Sequence, residues 1–259
     1  MNRWRERQAI EPAAVYQCFH KPYPRIIQSE WIKPIALGEY SEAGLLSERT
    51  GENIAHLNPY FNELSALYWI WRNTRDPIVG LWHYRRIMAF NLDEHWRDSF
   101  ESRISASSSV IGYFTDDNQL DSLHRLMSCS DIIVPRLHVT GKSISAQYCD
   151  SHGDESWNIF IEEVHLQTPH LFDYTVLFDH SNLSTLYNMF VMRRHHFDAY
   201  CSDLFRVLKA VFLRIGARQH PYQRRYPGFL AERFLLLWLR HQRLRVTEVP
   251  IIYLTNPDE

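Results

Sequence analysis

Apolar and polar positions follow one another along this chain in a way that predicts alternating strands and helices. The clearest case is residues 76–86, where the turn Asp76-Pro77 precedes a continuous apolar run over residues 78–82. A run this short is typical of a strand buried on both faces, as in a parallel sheet. It ends abruptly in the polar, mostly cationic residues His83-Tyr84-Arg85-Arg86. Because ligands bind at that end of the strands in open α/β sheets, we predict a pocket for an anionic ligand that carries phosphate.

The same patterns predict one α/β domain over residues 1–259, with a mostly parallel central sheet flanked by helices and residues 1–12 as a flexible or peripheral N-terminal segment. Strands are predicted over residues 13–19, 32–38, 78–82, 131–135, 184–192 and 245–254. Helices are predicted over residues 59–73, 93–103, 117–127, 143–168, 197–215 and 229–240. The first of these helices has the clearest start, with Asn58 as N-cap and Pro59 at the first helical position.

Composition excludes several classes of protein. The formal net charge of −2 argues against a general nucleic-acid binder, which would carry a basic excess. The four cysteines are far apart and form no CxxC pair, which argues against a zinc site and a disulfide framework and favours a reducing cytoplasm. The N-terminus has no apolar segment of the secretory type, and no stretch approaches the roughly 18–20 apolar residues of a membrane span.

The common motifs of catalytic and nucleotide-binding sites are absent from this chain. Its main chemical feature is the group of cationic residues at His83–Arg86. The chain lacks GxGxxG, the P-loop, GxSxG and HExxH, so the common dehydrogenase, nucleoside triphosphatase and hydrolase classes are not indicated. It also lacks DxD, the carboxylate pair that holds a divalent metal on a sugar nucleotide. Guanidinium groups bind phosphate oxygens bidentately and can stabilise a departing diphosphate without a metal. The alternative for His83–Arg86 is a solvated strand end with one arginine paired to Glu63.

Five sequence blocks, in order, resemble a bacterial family long catalogued as a domain of unknown function in capsular-polysaccharide and O-antigen gene clusters. They are GENIAHLNPYFNELSALYWIWRN, IVGLWHYRR, DIIVP, YNMFVMRRHHFDAYCSDLF and YPGFLAERFLLLWL. The resemblance covers about residues 13–253. It implies a GT-A-like nucleotide-sugar fold without the metal-binding DxD, and glycosyltransferase activity. One branch of the family is similar to a galactofuranosyltransferase that acts on UDP-galactofuranose.

We therefore predict a donor site for a nucleoside-diphosphate sugar, with UDP as the expected nucleotide and no metal or other cofactor. The residues assigned to it are His20, Lys21, Glu63, His83, Tyr84, Arg85, Arg86 and Asn188. Two assignments have structural alternatives. Glu63 could instead be a carboxylate that compensates the positive end of its helix. Asn188 could equally be a core amide in an otherwise apolar strand.

An inverting reaction, which we expect, needs a carboxylate that deprotonates the acceptor hydroxyl. Glu232 is the first choice, because the sequence GFLAER places it in the first turn of a helix at the ligand edge of the sheet. Its alternatives are charge compensation at the helix N-terminus or pairing with Arg233. Asp131 and Asp154 are the reserve candidates.

The acceptor is expected beside residues 91–128 or 141–155, with Tyr148, His152 and Arg225 as its contacts. The polar cluster Asp150, His152 and Asp154 also suggests a metal site, but a polar loop or a solvated turn fits it better. Trp82 stands where the family resemblance leads us to expect a small residue, which would reshape the donor pocket.

The predicted function is sugar transfer from a nucleotide sugar to an oligosaccharide or lipid-linked glycan of a surface polysaccharide. We expect a cytoplasmic protein, with peripheral association at the inner membrane through the basic residues around helix 229–240. Two alternatives from other classes stay open. One is a non-catalytic glycan-binding scaffold of a polysaccharide assembly complex, and the other is a phosphotransferase that uses the same cations.

Overall fold

The computed structural model describes residues 11–23, 26–91, 100–185 and 187–255, and ten of the strands in these ranges form one sheet. Those strands are β1 (Ala13–Phe19), β2 (Ile32–Ala36), β3 (Leu46–Ser47), β4 (Ile78–His83), β5 (Arg86–Met88), β6 (Glu101–Ser105), β7 (Ile132–Pro135), β10 (Phe190–Arg193), β11 (Val246–Val249) and β12 (Ile251–Thr255). A separate pair consists of β8 (His138–Val139) and β9 (Leu183–Ser184). Residues 1–10 of the predicted N-terminal segment 1–12 lie outside the described residues.

The strands of the large sheet follow the order β11-β7-β10-β4-β1-β2-β3, and β4 also leads into β5, which pairs with β12. Within the described ranges, five of the pairings are parallel and four are antiparallel. The predicted α/β fold with a central, mostly parallel sheet is therefore confirmed. β4 lies at its centre, parallel to β1 and antiparallel to β10, so its surroundings are mixed rather than purely parallel.

Helices cover both faces of this sheet. They are α1 (Asn58–Phe61), α2 (Glu63–Asn73), α3 (Ser108–Thr115), α4 (Asp117–Cys129), α5 (Ile144–His152), α6 (Asp154–Gln167), α7 (Pro169–Phe172), α8 (Leu177–His180), α9 (Arg194–Ile215) and α10 (Tyr226–Gln242), with short 3₁₀ turns at Ala55–Leu57, Asp173–Val176 and Gln223–Arg225. Side chains of β1 alternate between two cores, as the period of a strand requires. Tyr16 joins the larger core with α2, α6, α9 and α10, and Val15 joins the smaller core with α3 and α4.

The predicted helix over residues 59–73 is interrupted in the structure. α1 ends at Phe61, and Asn62 adopts φ 50° and ψ −127°, a conformation that few residues other than glycine accept. Asn58 does not cap the helix through its side chain. Its Nδ2 instead donates to the Asn62 carbonyl at 3.1 Å and to Ser65 Oγ at 2.9 Å. A strained backbone held by side chains in this way is a common feature of binding sites.

Other predicted elements need correction at their ends. The predicted helix 93–103 falls partly outside the described residues, and its last part belongs to strand β6. The sequence patterns missed α3, although Ser107 caps it by accepting from the Val110 N–H. The predicted strand 184–192 is shorter in the structure, because Asn188 lies in a bend before β10. The predicted final strand is divided at Pro250, which cannot donate a backbone hydrogen bond. Helices 117–127, 143–168, 197–215 and 229–240 are confirmed, with a break at Gly153 in the second.

Gly80 shows how tightly the centre of the sheet is packed. A Cβ added there would lie 2.9 Å from the Cγ2 atoms of both Val15 and Val191. We expect Gly80→Ala to lower the free energy of unfolding by about 1–3 kcal/mol, because the core would be overpacked. Urea denaturation measures this change. Gly112→Ala is the control, since an added Cβ in α3 meets no atom within 4 Å. Equal stability losses in the two variants would contradict the expectation.

Candidate functional site

Three neighbouring strands end at one cavity. β1, β2 and β4 run parallel, so their carboxyl ends meet at the same edge of the sheet, where α/β folds bind ligands. The first turns of α2 and α10 supply further parts of its wall. The cavity has a volume of about 680 Å³, within the range of about 300–1,000 Å³ for small-molecule sites. Its lining residues are Cys18, His20, Leu37, Gly38, Glu39, Tyr40, Asn58, Pro59, Asn62, Glu63, His83, Tyr84, Arg85, Arg86, Tyr187, Arg224, Arg225, Gly228, Phe229 and Glu232.

The polar segment His83–Arg86 is a tight hairpin that connects β4 to β5. Gln17, fully buried on β1, donates through Nε2 to the carbonyl oxygens of His83 and Tyr84 at 3.3 and 3.2 Å. The backbone N–H of Leu254 on β12 donates to the next carbonyl of the turn at 2.8 Å. Hydrogen bonds from β1 and β12 therefore hold the backbone of this turn in place. The side chains of the turn consequently leave the backbone in fixed directions, toward the cavity.

The guanidinium groups of Arg85 and Arg86 both pack on the ring of Tyr253. Their Cζ atoms lie 4.8 and 5.0 Å from the centre of the Tyr253 ring, and Arg86 also packs over Tyr187 at 5.2 Å. In the described part of the chain neither arginine forms a salt bridge, and both Nε atoms are buried without a hydrogen-bond partner. Two adjacent cations without a counter-ion favour an anionic ligand with several oxygens.

The cavity's further cations come from the 3₁₀ turn before α10, which places Arg224 and Arg225 in the lining. His83 does not add to this charge. Burial lowers its pKa, and the charges of Arg86 and Arg225 lower it further against the opposite effect of Glu63. His83 is therefore neutral near pH 7, and the arginines supply the positive charge.

Glu63 lies in the cavity wall and also in the first turn of α2. Its position therefore fits both interpretations, a residue of the predicted donor site and a carboxylate at the positive end of its helix. Its Oε1 accepts from Asn188 Nδ2 at 2.7 Å and lies 3.8 Å from His83 Nε2. Asn188 is 1% exposed and also donates to the Gly228 carbonyl at 3.2 Å. It does not line the cavity. Asn188 is thus a core amide that fixes Glu63 against the first turn of α10.

Glu232 also lines the cavity, with 16% of its side chain exposed. Its Oε2 accepts from Arg233 at 2.5 Å, and the same buried guanidinium donates to the Phe229 carbonyl at 2.9 Å and to Gln147 Oε1 at 2.5 Å. Burial raises the pKa of Glu232 to about 8; the charge of Arg233 opposes this shift, and Glu63 adds to it. The pairing with Arg233 therefore orients a carboxyl group that exchanges protons near neutral pH.

Three other predicted residues lie outside the lining. Hydrogen bonds from Arg245, 2.8 Å away, lower the pKa of Asp131 to about 2, which makes it a poor proton acceptor. Asp154 is exposed at the first residue of α6. Neither reserve carboxylate is placed to act as the base. The Lys21 Nζ lies 5.5 Å from the Tyr84 ring, beside the cavity rather than in its wall.

Two of the three residues predicted to contact the acceptor are buried. Tyr148 is inaccessible, and its hydroxyl lies 3.0 Å from Ser156 Oγ. His152 is 9% exposed and stacks on Phe229 with ring centres 4.1 Å apart. Neither residue lines the cavity, so direct contact with a glycan is not supported for either. Arg225, the third, is exposed and lines it.

The polar cluster around residue 152 does not form a metal site. Asp150 pairs with Lys142, and the ring of His152 packs among aromatic side chains. Across the described ranges, no group of three or more His, Cys, Asp or Glu side chains could hold a metal ion.

Sequence reasoning missed the segment Leu37–Tyr40, which follows β2 and lines the cavity. Gly38 has φ +60°, its N–H donates to Glu48 Oε1 at 2.7 Å, and an added Cβ would lie 2.7 Å from Asn58 Oδ1. Gly38, at the end of the predicted strand 32–38, is the sequence feature that could have indicated this part of the site.

Trp82 does not reshape the cavity. It is fully buried on the other face of β4, with ring centres 6.0 Å from Trp31 and 5.7 Å from Phe90 in the smaller core. The expected effect on the donor pocket is therefore wrong, because successive strand residues point to opposite faces.

The profile of a protein family described as a domain of unknown function, DUF4422, matches residues 14–243. The chain belongs to this family. No curated protein is significantly similar to the chain. Among the described residues of this DUF4422 protein, no helix has the length and apolar character needed to span a membrane.

A solved structure shares the fold of this DUF4422 protein. It is the apo structure of the bifunctional glycosyltransferase WbbM, with a TM-score of 0.82 and 24% sequence identity. The match covers 95% of this chain and 46% of the WbbM chain. The protein therefore spans less than half the length of this structural relative.

Proposed function

We propose that this protein is a glycosyltransferase that moves a sugar from a nucleoside diphosphate, expected to be UDP, to a hydroxyl group of a surface-polysaccharide glycan. The observation that carries the proposal is the pair of guanidinium groups of Arg85 and Arg86, which have no carboxylate partner in the described chain and face the cavity at the end of β4. The fold shared with WbbM supports the same class of enzyme.

In this proposal the diphosphate of the donor binds Arg85 and Arg86, with Arg224 and Arg225 as further cations. Fixed positive charges stabilise the negative charge that develops on a departing diphosphate. In many transferases a divalent metal has this task. The four arginines of this cavity supply the charge instead, and we propose a reaction without a metal cofactor.

The proposed reaction is a single displacement with inversion. The Glu232 carboxylate accepts the proton of the acceptor hydroxyl as its oxygen forms a bond to the anomeric carbon of the donor sugar. The bond between that carbon and the phosphate oxygen breaks, and the electron pair leaves with the diphosphate. Arg233 orients the Glu232 carboxylate.

The protonation of Glu232 predicts a pH dependence. Only the carboxylate form can accept a proton, and burial raises the pKa of Glu232 to about 8. We expect kcat/KM to rise about tenfold per pH unit below pH 8 and to level off above it, since kcat/KM reports the free enzyme. Initial rates over a pH series measure this. A profile that is flat through this range would contradict the role of Glu232.

Turnover of nucleotide sugars tests the function itself. Purified protein would be incubated with UDP-, GDP- and TDP-linked hexoses, including UDP-galactofuranose, and with glycan acceptors in EDTA. We expect a product heavier by one sugar residue in mass spectrometry. A product heavier by phosphate would favour phosphotransfer, and glycan binding without turnover of any donor would favour a scaffold. Either result would contradict the proposal.

We also propose that the enzyme works in the cytoplasm at the surface of the inner membrane. The four cysteines are free, which suits a reducing compartment, and Arg240 and Arg243 are exposed at the end of α10. Exposed cations of this kind attract anionic lipids. Liposome co-sedimentation should increase with the anionic lipid fraction, and independence from lipid charge would contradict the membrane contact.

A further inference from the structure

We propose that the rings of Phe229 and Tyr222 form a stacking surface for the acceptor sugar next to Glu232, an inference that rests on the proposed glycosyl transfer. Phe229 precedes Glu232 by three residues on α10, and both line the cavity. Residues three apart on a helix are neighbours on one face, with Cβ atoms about 5–6 Å apart. A hydroxyl that Glu232 deprotonates must lie within hydrogen-bond reach, so the sugar that carries it must lie against an adjacent helical turn.

The neighbours of Glu232 that line the cavity on this face, Gly228 and Phe229, both lie on its N-terminal side. One turn further along α10, Leu235 is fully buried and Leu236 packs against the larger core. Neither residue lines the cavity. The acceptor therefore has room over Phe229 and none over the following turn.

Tyr222 extends this surface from the cavity to the solvent. It is 49% exposed, and its ring centre lies 5.1 Å from that of Phe229. The C–H groups on one side of a sugar ring carry partial positive charge and pack on the electron-rich face of an aromatic ring. Two adjoining rings that lead outward from a carboxylate suit a hexose at the end of a glycan chain.

The stacking surface is supported from behind by His152. Its ring is tilted by 16° from the Phe229 ring and by 29° from the Tyr222 ring, with centres 4.1 Å and 5.7 Å away. His152 Nδ1 lies 3.3 Å from Gln223 Oε1, and Gln223 Nε2 donates to the Ser151 carbonyl at 3.0 Å. Burial lowers the pKa of His152 to about 4, so the supporting ring is uncharged near pH 7. A surface held in place before binding loses little entropy when a ligand binds.

Arg225 adds a polar group to this surface. Its Cζ lies over the Phe229 ring, 5.5 Å from the ring centre, and the side chain is exposed. Its N–H groups can donate to the hydroxyl groups of a sugar that lies on the ring. The sequence-based assignment of His152 to the acceptor is thereby replaced by an indirect role behind Phe229.

Saturation-transfer NMR tests the surface with methyl gluco-, galacto- and mannopyranosides as probes. We expect transfer from the wild-type protein to the ring C–H protons of at least one probe. The signal should fall about fivefold or more in Tyr222→Ala and persist in Tyr222→Trp, because the tryptophan keeps an aromatic face. Tyr174→Ala is the matched control, since Tyr174 also packs on a histidine ring, 5.3 Å from His241, whereas Tyr222 contacts Phe229 in the cavity wall.

Two results would overturn the inference. One is the absence of transfer to every probe from the wild-type protein, and the other is an unchanged signal in Tyr222→Ala. UDP affinity, measured on the same samples, separates this inference from the proposed function. Normal UDP binding with either overturning result refutes the stacking surface alone, whereas wild-type protein that binds no nucleotide or nucleotide sugar refutes the proposed function.

Discussion

Glu232→Gln is expected to lower the rate of sugar transfer by about a hundredfold to ten-thousandfold, the usual contribution of a general base. The amide keeps the size of the side chain and an oxygen that accepts from Arg233, but it cannot accept the proton of the acceptor hydroxyl. UDP affinity should change little, because the proposed diphosphate site consists of arginines. The measurement is kcat with saturating donor, together with UDP affinity on the same preparation.

Glu163→Gln is the control for this variant. Glu163 is 4% exposed, accepts from Arg214 at 2.9 Å and lies on α6, outside the cavity lining. The Glu163→Gln variant thus removes another buried carboxylate that is paired with an arginine. Glu232→Gln with a rate close to that of Glu163→Gln would exclude Glu232 as the base.

Arg85→Ala/Arg86→Ala is expected to cause the second large loss. Removing one preorganised group that stabilises developing charge typically costs about a hundredfold to a thousandfold in rate, and this variant removes two such groups. The KM for the nucleotide sugar should also rise, because in the proposed site the same groups bind the diphosphate before the reaction. Steady-state kinetics with varied donor concentration separates the two effects.

Arg72→Ala provides the matched control for the arginine pair. The Arg72 guanidinium also packs on an aromatic ring, 5.1 Å from the centre of Trp71, but it pairs with Glu52 and does not line the cavity. We expect near wild-type kinetics from this variant. Equal losses in the two proteins would mean that a general effect of arginine removal, rather than a diphosphate site, explains the result.

The polar end of β4 at His83–Arg86 was predictable because its signal is local, although the turn into β5 was not predicted. A buried apolar run followed at once by four polar residues can be recognised without any knowledge of distant contacts. The helix start near Asn58 is a local signal of the same kind. Glu232 was predicted in the first turn of its helix, but it lies in the second turn, because α10 begins at Tyr226. These features placed most of the predicted donor residues around the cavity.

The missing parts of the site depend on contacts between distant segments. Nothing near Tyr253 in the sequence indicates that two arginines pack on its ring, and Gln17 supports the turn from a different strand. The break at Asn62 depends on the side chain of Asn58 and on the close approach of Gly228, where an added Cβ would lie 3.3 Å from Asn62 Nδ2. Periodicity describes which face of an element is buried, but it does not say which elements meet.

Glu232 shows that structural and functional interpretations of one residue need not compete. The sequence left pairing with Arg233 as an alternative to catalysis, and the structure contains that pair at the cavity wall. Gln147 on α5 accepts from the same guanidinium, so a residue far away in sequence helps to orient the carboxylate. The pair is therefore part of the proposed site.

The proposed metal-independent nucleoside-diphosphate site at the end of β4 is tested by calorimetric titration of UDP into the purified protein in the presence of EDTA. We expect saturable binding to the wild-type protein and to Arg72→Ala, and loss of that binding in Arg85→Ala/Arg86→Ala. Binding that appears only when a divalent metal is added, or that survives the loss of both arginines, would contradict it.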